Sequence, residues 1–367
     1  MKFSFKDLIH RKIIENPNID KGLFFFDKMG LDINLCDSMG NQARCYDDLD
    51  DLSLSLTEEE KFFCEKKWQG ILESNPSYYD GDVVLVSDII YDDSEKKLQI
   101  LFSKAKFSHC IASSDPNYPN PARFSQYLSF GLGVMNNFRI GKNDDLLMVK
   151  RSNFGLTERG AISVAGGNVE FKKSTGKDDI RDGLEKASLS ELIEEIMSGK
   201  TYQDFNIELS SLAWQRKPNG SFALDAYFDV CSRSLIELGD VKKLKAIAED
   251  SKEADDIFKV DVSQNISSKS SDSKLIFPRN LLGQPNLKDS GVFSLASALY
   301  LRMIEDYRAG IYTGLPNNIA GISNYFSGFE AMDIKALRAK LDTKILSIES
   351  CDHGLNPRKS QPDKESR

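Results

Sequence analysis

Paired apolar runs separated by short polar turns constrain the fold of this 367-residue chain more than any other feature. Ile207 to Gln215 and Phe222 to Val230 flank Lys217-Pro218-Asn219-Gly220. Val134 to Ile140 and Leu146 to Lys150 flank Gly141-Lys142-Asn143-Asp144-Asp145. Val83-Val84-Leu85-Val86 and Leu98 to Phe102 enclose the polar stretch Tyr91 to Lys97. Such segments close into hairpins, because Gly, Pro, Asn and Asp adopt the tight turn geometry that β-branched and aromatic residues resist. Ala161 to Ala165, ending in Gly166-Gly167, and Phe258 to Val262 add two strand candidates.

Helical signals lie between the strands. Thr57 followed by Glu60 fits a capping box, and the helix it opens is expected to run to about Glu73, where Asn75-Pro76 stops it. Further helices are expected over Gly183 to Ser198, Ser290 to Tyr307 and Asp333 to Ile348. The mixture reads as an α+β fold. Residues 1–127 are expected to form an N-terminal accessory region, helix plus β-hairpin, and residues 128–315 the main domain. Residues 316–349 are expected to form a C-terminal helical segment, and 350–367 a polar tail that frays. Ser263 to Ser273, with six serines, reads as a flexible loop or lid.

Composition narrows the function. Lys plus Arg number 48 against 56 Asp plus Glu, a net charge of -8 that repels phosphate backbones and argues against nucleic acid as a partner. Six scattered cysteines without a C-x-x-C pair, and three histidines, make a zinc site a poor expectation. The charged start Met1-Lys2-Phe3-Ser4-Phe5-Lys6-Asp7 lacks the form of a secretory signal. The apolar run Val292 to Ile304 is shorter than a bilayer span and contains Arg302. A reduced, cytoplasmic protein without a membrane partner is expected.

The chemistry is concentrated in Ala165-Gly166-Gly167-Asn168-Val169-Glu170 and the later stretch Ser190-Glu191-Leu192-Ile193-Glu194-Glu195-Ile196. On a helix, Glu191, Glu194 and Glu195 are spaced three and four residues apart and share one face. Leu189, Leu192, Ile193, Ile196 and Met197 share the other, which would dock on a sheet. Clustered carboxylates repel one another, and a hard divalent cation such as Mg²⁺ or Mn²⁺ would neutralise them and then hold a diphosphate. A wet helix face carrying three glutamates is also common without any function. The Gly-Gly turn upstream, which permits close approach of backbone, and Glu170 at a short offset favour the functional reading.

These residues resemble the box of the Nudix hydrolases, G-x5-E-x7-R-E-U-x-E-E-x-G-U, where U is a bulky aliphatic residue. Gly167 fits the opening glycine with Gly166 before it, and Glu170 takes the frequent acidic place three residues later. Glu191, Leu192, Glu194 and Glu195 fit E-U-x-E-E, and Asp182 falls where the first box glutamate belongs. Ser190 replaces the box arginine, Met197 replaces the box glycine, and nine residues are inserted between Gly167 and Asp182. Leu146 to Ser152 resembles the family's lead-in strand. Trp68 to Gly81 (W-x7-P-x3-D-G) is similar to the lead-in of the branch that hydrolyses UDP-glucose and UDP-galactose. The resemblance implies a mixed sheet between helices, an α/β/α sandwich. It implies Mg²⁺ held by Glu191 and Glu195, with Glu194 and Glu170 as further ligands, and Mn²⁺ as a substitute. Glu191, Glu194 and Glu195 would be the catalytic residues, and Gly166, Gly167, Arg151 and Arg159 would meet the substrate phosphates.

Two readings follow. One is a Mg²⁺-dependent diphosphatase of a nucleoside diphosphate linked to another group, with a UDP-sugar as first guess. The alternative is a Nudix-fold nucleotide-binding or regulatory module without turnover, to which Ser190, Met197 and Asp182 point. Gly131-Leu132-Gly133 opens a G-x-G, but Asn136 stands at the third glycine place, so a dinucleotide fingerprint fails. Asp225 and Asp229 alternate with Leu224, Ala226 and Phe228 and are expected on a solvated sheet face, one of them available as an extra acid. Tyr78, Tyr79 and Trp68 are candidates for base stacking or for the interior.

Overall fold

The computed structural model describes residues 2–26, 31–43, 48–74, 76, 78–120, 123, 127–152, 160–169, 183–217, 220, 222–248, 252, 254–262, 274–276, 286–287, 289–308, 318–320 and 330–332. Residues 1–332 form one unit, and residues 333–367 a second that lies outside the described residues, as do the helix expected over Asp333 to Ile348 and the tail.

The elements in chain order begin with β1 (Lys2–Ser4), α1 (Phe5–Glu15), β2 (Lys21–Phe25), β3 (Asp32–Cys36), α2 (Glu58–Ser74), β4 (Asp82–Asp92), β5 (Lys97–Lys106), α3 (Phe107–Ser113) and β6 (Ser129–Phe130). Then come β7 (Gly133–Ile140), β8 (Asp145–Arg151), β9 (Ile162–Ser163), β10 (Ala165–Asn168), α4 (Gly183–Glu195), β11 (Phe205–Arg216), β12 (Phe222–Ser232), α5 (Leu238–Lys245) and β13 (Ala254–Val260). The last are β14 (Lys274–Ile276), α6 (Asp289–Arg308), β15 (Asn318–Ala320) and β16 (Glu330–Met332). The three hairpins read from the sequence are present as β4–β5, β7–β8 and β11–β12. The capping box is present too: Thr57 Oγ1 accepts from the Glu60 amide at 3.2 Å, and Glu60 accepts from the Thr57 amide at 2.9 Å.

The fold is mixed α+β. The large sheet runs β13-β8-β7-β12-β11-β2-β16, with β9 added on β8 and β10 on β7. Its β7–β12 and β2–β16 pairs are parallel and its hairpin pairs antiparallel. A smaller sheet runs β1-β4-β5-β3, with β6 on β4. β2, from the first 127 residues, pairs with β11, so the N-terminal region supplies a strand to the large sheet. The described parts of residues 316–349 are the short strands β15 and β16.

Side-chain alternation places the layers. On β12, Leu224, Ala226, Phe228 and Val230 enter the main core together with Leu184, Leu189, Leu192, Ile196 and Met197 around α4. On the small-sheet side the same core continues through Phe24 and Phe5, whose rings meet edge-on at 4.6 Å. α6 covers the opposite face, where Phe25 packs on Tyr300 at 4.0 Å and Ser211 donates to Ser297 at 2.9 Å. Each large apolar side chain taken from water this way contributes about 1.5–3 kcal/mol, which anchors α4 far more firmly than helix propensity does.

Candidate active site

β10 sets the position of the two glycines. It pairs antiparallel with β7, Gly166 opposite Met135 and Gly167 opposite Val134. A Cβ on Gly166 would run into the Val134 carbonyl oxygen, and one on Gly167 would land on the Glu191 carboxylate. Backbone therefore requires glycine at Gly166, whereas at Gly167 the missing side chain leaves the space that the Glu191 carboxylate from α4 occupies.

α4 is pinned to this strand pair by a polar clamp in an otherwise apolar contact. Asn136 on β7 donates from Nδ2 to the Ser188 carbonyl at 2.8 Å and to the Ala165 carbonyl at 3.3 Å. Ser188 Oγ returns a hydrogen bond to Asn136 Oδ1 at 2.7 Å. Both side chains are buried, so each bond is made in a medium where leaving it unmade costs about 1–3 kcal/mol. The sequence marks this residue only as the polar interruption Asn136-Asn137 in a strand that is otherwise largely apolar.

The three glutamates differ in environment. Glu191 and Glu194 are half-buried, whereas Glu195 is only 6% exposed, so the expected single solvated face is corrected. The α4 axis is rolled so that Ser188, Leu192 and Glu195, successive on one stripe, turn inward. Among the described residues, no three His, Cys, Asp or Glu side chains gather in a way that could hold a metal. Glu170, Arg159 and Asp182 lie outside the described residues. Arg151 closes β8, half-buried, with its amide donating to the Ala161 carbonyl at 2.8 Å.

Two of the departures from the box, Ser190 and Met197, have local explanations. Ser190 hydrogen-bonds through Oγ to Tyr202 OH at 2.7 Å, which ties the helix to the turn that follows it. Met197 is fully buried in the core, and the chain turns two residues later at Gly199, whose φ of 79° suits glycine.

Asp229 is not solvated, as expected from its alternation, but 6% exposed, accepting from Arg139 Nη2 at 2.7 Å under α6. Arg139 also donates to Glu305 at 2.9 Å. One residue beyond Gly167, the sheet row is Asn168, Gly133 and Asp225, and the Asp225 carboxylate occupies the space that a Gly133 side chain would need. Lys217 stands nearby, donating to Ser114 at 3.0 Å; burial holds its ammonium below the ordinary lysine range. Trp68 is buried, whereas Tyr79 is 69% exposed and no part of the interior.

No family profile matches the chain, and no curated protein matches it. Solved structures do. The MutT Nudix hydrolase of Burkholderia pseudomallei is 14% identical, with 46% of this chain and 96% of that one covered and a TM-score of 0.26. The Nudix domain of Shewanella oneidensis NrtR, crystallised with ADP-ribose, is 17% identical over 50% of this chain and 92% of that one, with a TM-score of 0.29. The Bacillus subtilis pyrophosphohydrolase BsRppH is 13% identical, with 49% and 82% covered and a TM-score of 0.27. No helix among the described residues is long and apolar enough to cross a membrane.

Proposed function

We propose that this chain hydrolyses the diphosphate bond of a nucleoside diphosphate linked to a further group, with a UDP-sugar as the first substrate to try. The observation that carries the reading is the seating of the Glu191 carboxylate on Gly167, with α4 clamped to the same strand pair by Asn136. A glycine whose open side is filled by a carboxylate from the facing helix, next to Gly166 whose own side is closed by the Val134 carbonyl, is a cradle suited to a hard cation and a phosphate oxygen. Glu191 and Glu195, one helical turn apart, would hold Mg²⁺ or Mn²⁺ together with Glu170, since the described carboxylates alone do not gather into a three-ligand site. When bound, the cation would offset the negative charge of the diphosphate.

The remaining roles belong to the chain. Glu194, half-buried at the edge of the site, takes a proton from the attacking water. The water oxygen bonds to one phosphorus, the bridging P–O bond breaks, and its electron pair leaves with the other phosphate. The products are a nucleoside monophosphate and, for a UDP-sugar, a sugar 1-phosphate. Arg151 and Arg159 would meet the phosphates before the step. The test is a screen of nucleoside diphosphate derivatives with Mg²⁺ and with Mn²⁺, monitored for released monophosphate. Turnover that survives metal stripping and excess EDTA would refute the metal-dependent reading.

A second reading, a nucleotide-binding or regulatory module, draws on Ser190. Its hydroxyl is engaged by Tyr202, so this position supplies no guanidinium to orient the glutamates. Nucleotide affinity that depends on Glu195 in a protein without turnover would favour it.

A further inference from the structure

A cleft of about 280 Å³ opens in the N-terminal region, away from Gly167, between α2 and the start of α3. That volume lies at the small end of ligand-binding pockets and suits a single ring system with one substituent. Leu56, Cys64 and Trp68 line it and are buried, making an apolar wall. Glu65 and Gln69, exposed on α2, form its rim. The exposed Leu54, Phe62 and Tyr79 adjoin lining residues in the chain, so the apolar surface extends to the flanks.

The polar end is preorganised. His109 Nδ1 accepts from the Lys106 amide at 3.2 Å, which leaves Nε2 as the N–H donor. Among the described residues that N–H has no hydrogen-bond partner. Burial holds the imidazole below its ordinary pKa, so the ring is neutral at physiological pH. Asp80 is fixed by the Ser108 amide at 2.8 Å and the Ser108 hydroxyl at 2.7 Å and retains lone pairs for a donor. Burial pushes the Cys64 thiol up to about 11, so it adds no charge. With Asp80 and Glu65 against Lys61, the lining carries more negative than positive charge and disfavours phosphate.

We propose that this cleft binds an unphosphorylated planar nitrogen heterocycle, of the nucleobase or nucleoside class, seated against Trp68 with an acceptor atom on His109 Nε2 and a donor on Asp80. The neutral donor, the fixed acceptor and the aromatic wall match the edge and face of such a ring. α3 also runs from this cleft toward the other site. Cys110, next to His109, has its sulfur 3.6 Å from where a Gly131 side chain would begin, and Asn168 Oδ1 lies 3.7 Å from the same point. The two sites are thus separate, with one short helix between them.

The test is calorimetric titration of the full chain, in EDTA, with adenosine, guanosine, uridine and cytidine. At least one is expected to bind saturably, with its 5′-monophosphate weaker. Gln69→Trp, a change at an exposed helix position that fills the mouth, should weaken binding at least about tenfold. His109→Phe, which keeps a ring in place and removes the donor, should also weaken it. Glu191→Gln should leave it unchanged. No saturable binding by any of the four nucleosides up to about 10 mM would overturn the proposal. So would binding that Gln69→Trp leaves intact or that Glu191→Gln abolishes, since the nucleoside would then be occupying the Gly167 site.

Discussion

Replacing Arg123 with methionine removes the countercharge of a carboxylate that has no access to water. Glu60 is 0% exposed. It accepts from Arg123 Nε at 2.6 Å and Nη2 at 2.8 Å, from Tyr118 OH at 3.1 Å and from the Thr57 amide at 2.9 Å. Burial by itself would raise its pKa; the Arg123 hydrogen bonds and then those of Thr57 outweigh it and bring the carboxyl from 4.5 to about 2. That difference corresponds to roughly 3 kcal/mol in favour of the folded, ionised form. The same size is expected for stranding one member of a buried pair. Arg123→Met should therefore cost about 3 kcal/mol at pH 7, a melting-temperature fall on the order of 6 °C for a protein of this size. The sign with pH is fixed by the lowered pKa. The stabilisation is complete above 4.5 and is lost as pH falls through about 2, so the gap between wild type and variant should narrow on acidification. Urea unfolding followed by circular dichroism at pH 7 and at pH 3 measures both. A loss below about 0.5 kcal/mol at pH 7, or a gap that does not change with pH, would refute the reasoning.

Gly167→Ala should displace the Glu191 carboxylate and lower turnover on the order of 10²-fold while melting shifts little; wild-type kinetics in this variant would dismiss the cradle. Glu195→Gln should lower turnover by a similar factor with a smaller effect on nucleotide affinity, measured by initial rates and calorimetry, and full turnover would end the catalytic reading of α4. Asn136→Leu removes the clamp and should destabilise by about 1–3 kcal/mol, with a parallel loss of turnover; a change near zero in thermal unfolding would show that apolar packing alone seats α4. Ser190→Arg should hold the melting temperature within a few degrees, since Ser190 is only half-buried and loses one bond to Tyr202, with turnover level or raised. A fall of many degrees would mean that this side of α4 packs more tightly than its exposure indicates.

The sequence by itself determined the elements whose cause is local. The hairpins at Gly141 to Asp145 and at Lys217 to Gly220, and the capping box at Thr57 and Glu60, depend on residues within a few positions of one another. The spacing of Leu189, Leu192 and Ile196 likewise determined which side of α4 would be apolar. Tertiary structure decided what depends on residues far apart in the chain. Nothing near Lys21 to Phe25 indicates that this strand will pair with β11, nearly two hundred residues later, because any edge strand with a matching apolar face would offer the same hydrogen bonds. Periodicity placed Glu195 with Glu191 and Glu194, but a helix's roll is set by what it packs against, and the Asn136–Ser188 clamp turns Glu195 inward. Asp229 was expected in water for its alternation alone; α6 and Arg139, distant in sequence, enclose it. Gly167 was legible as a glycine that lets something approach, and only the docking of α4 showed that the approaching group is the Glu191 carboxylate.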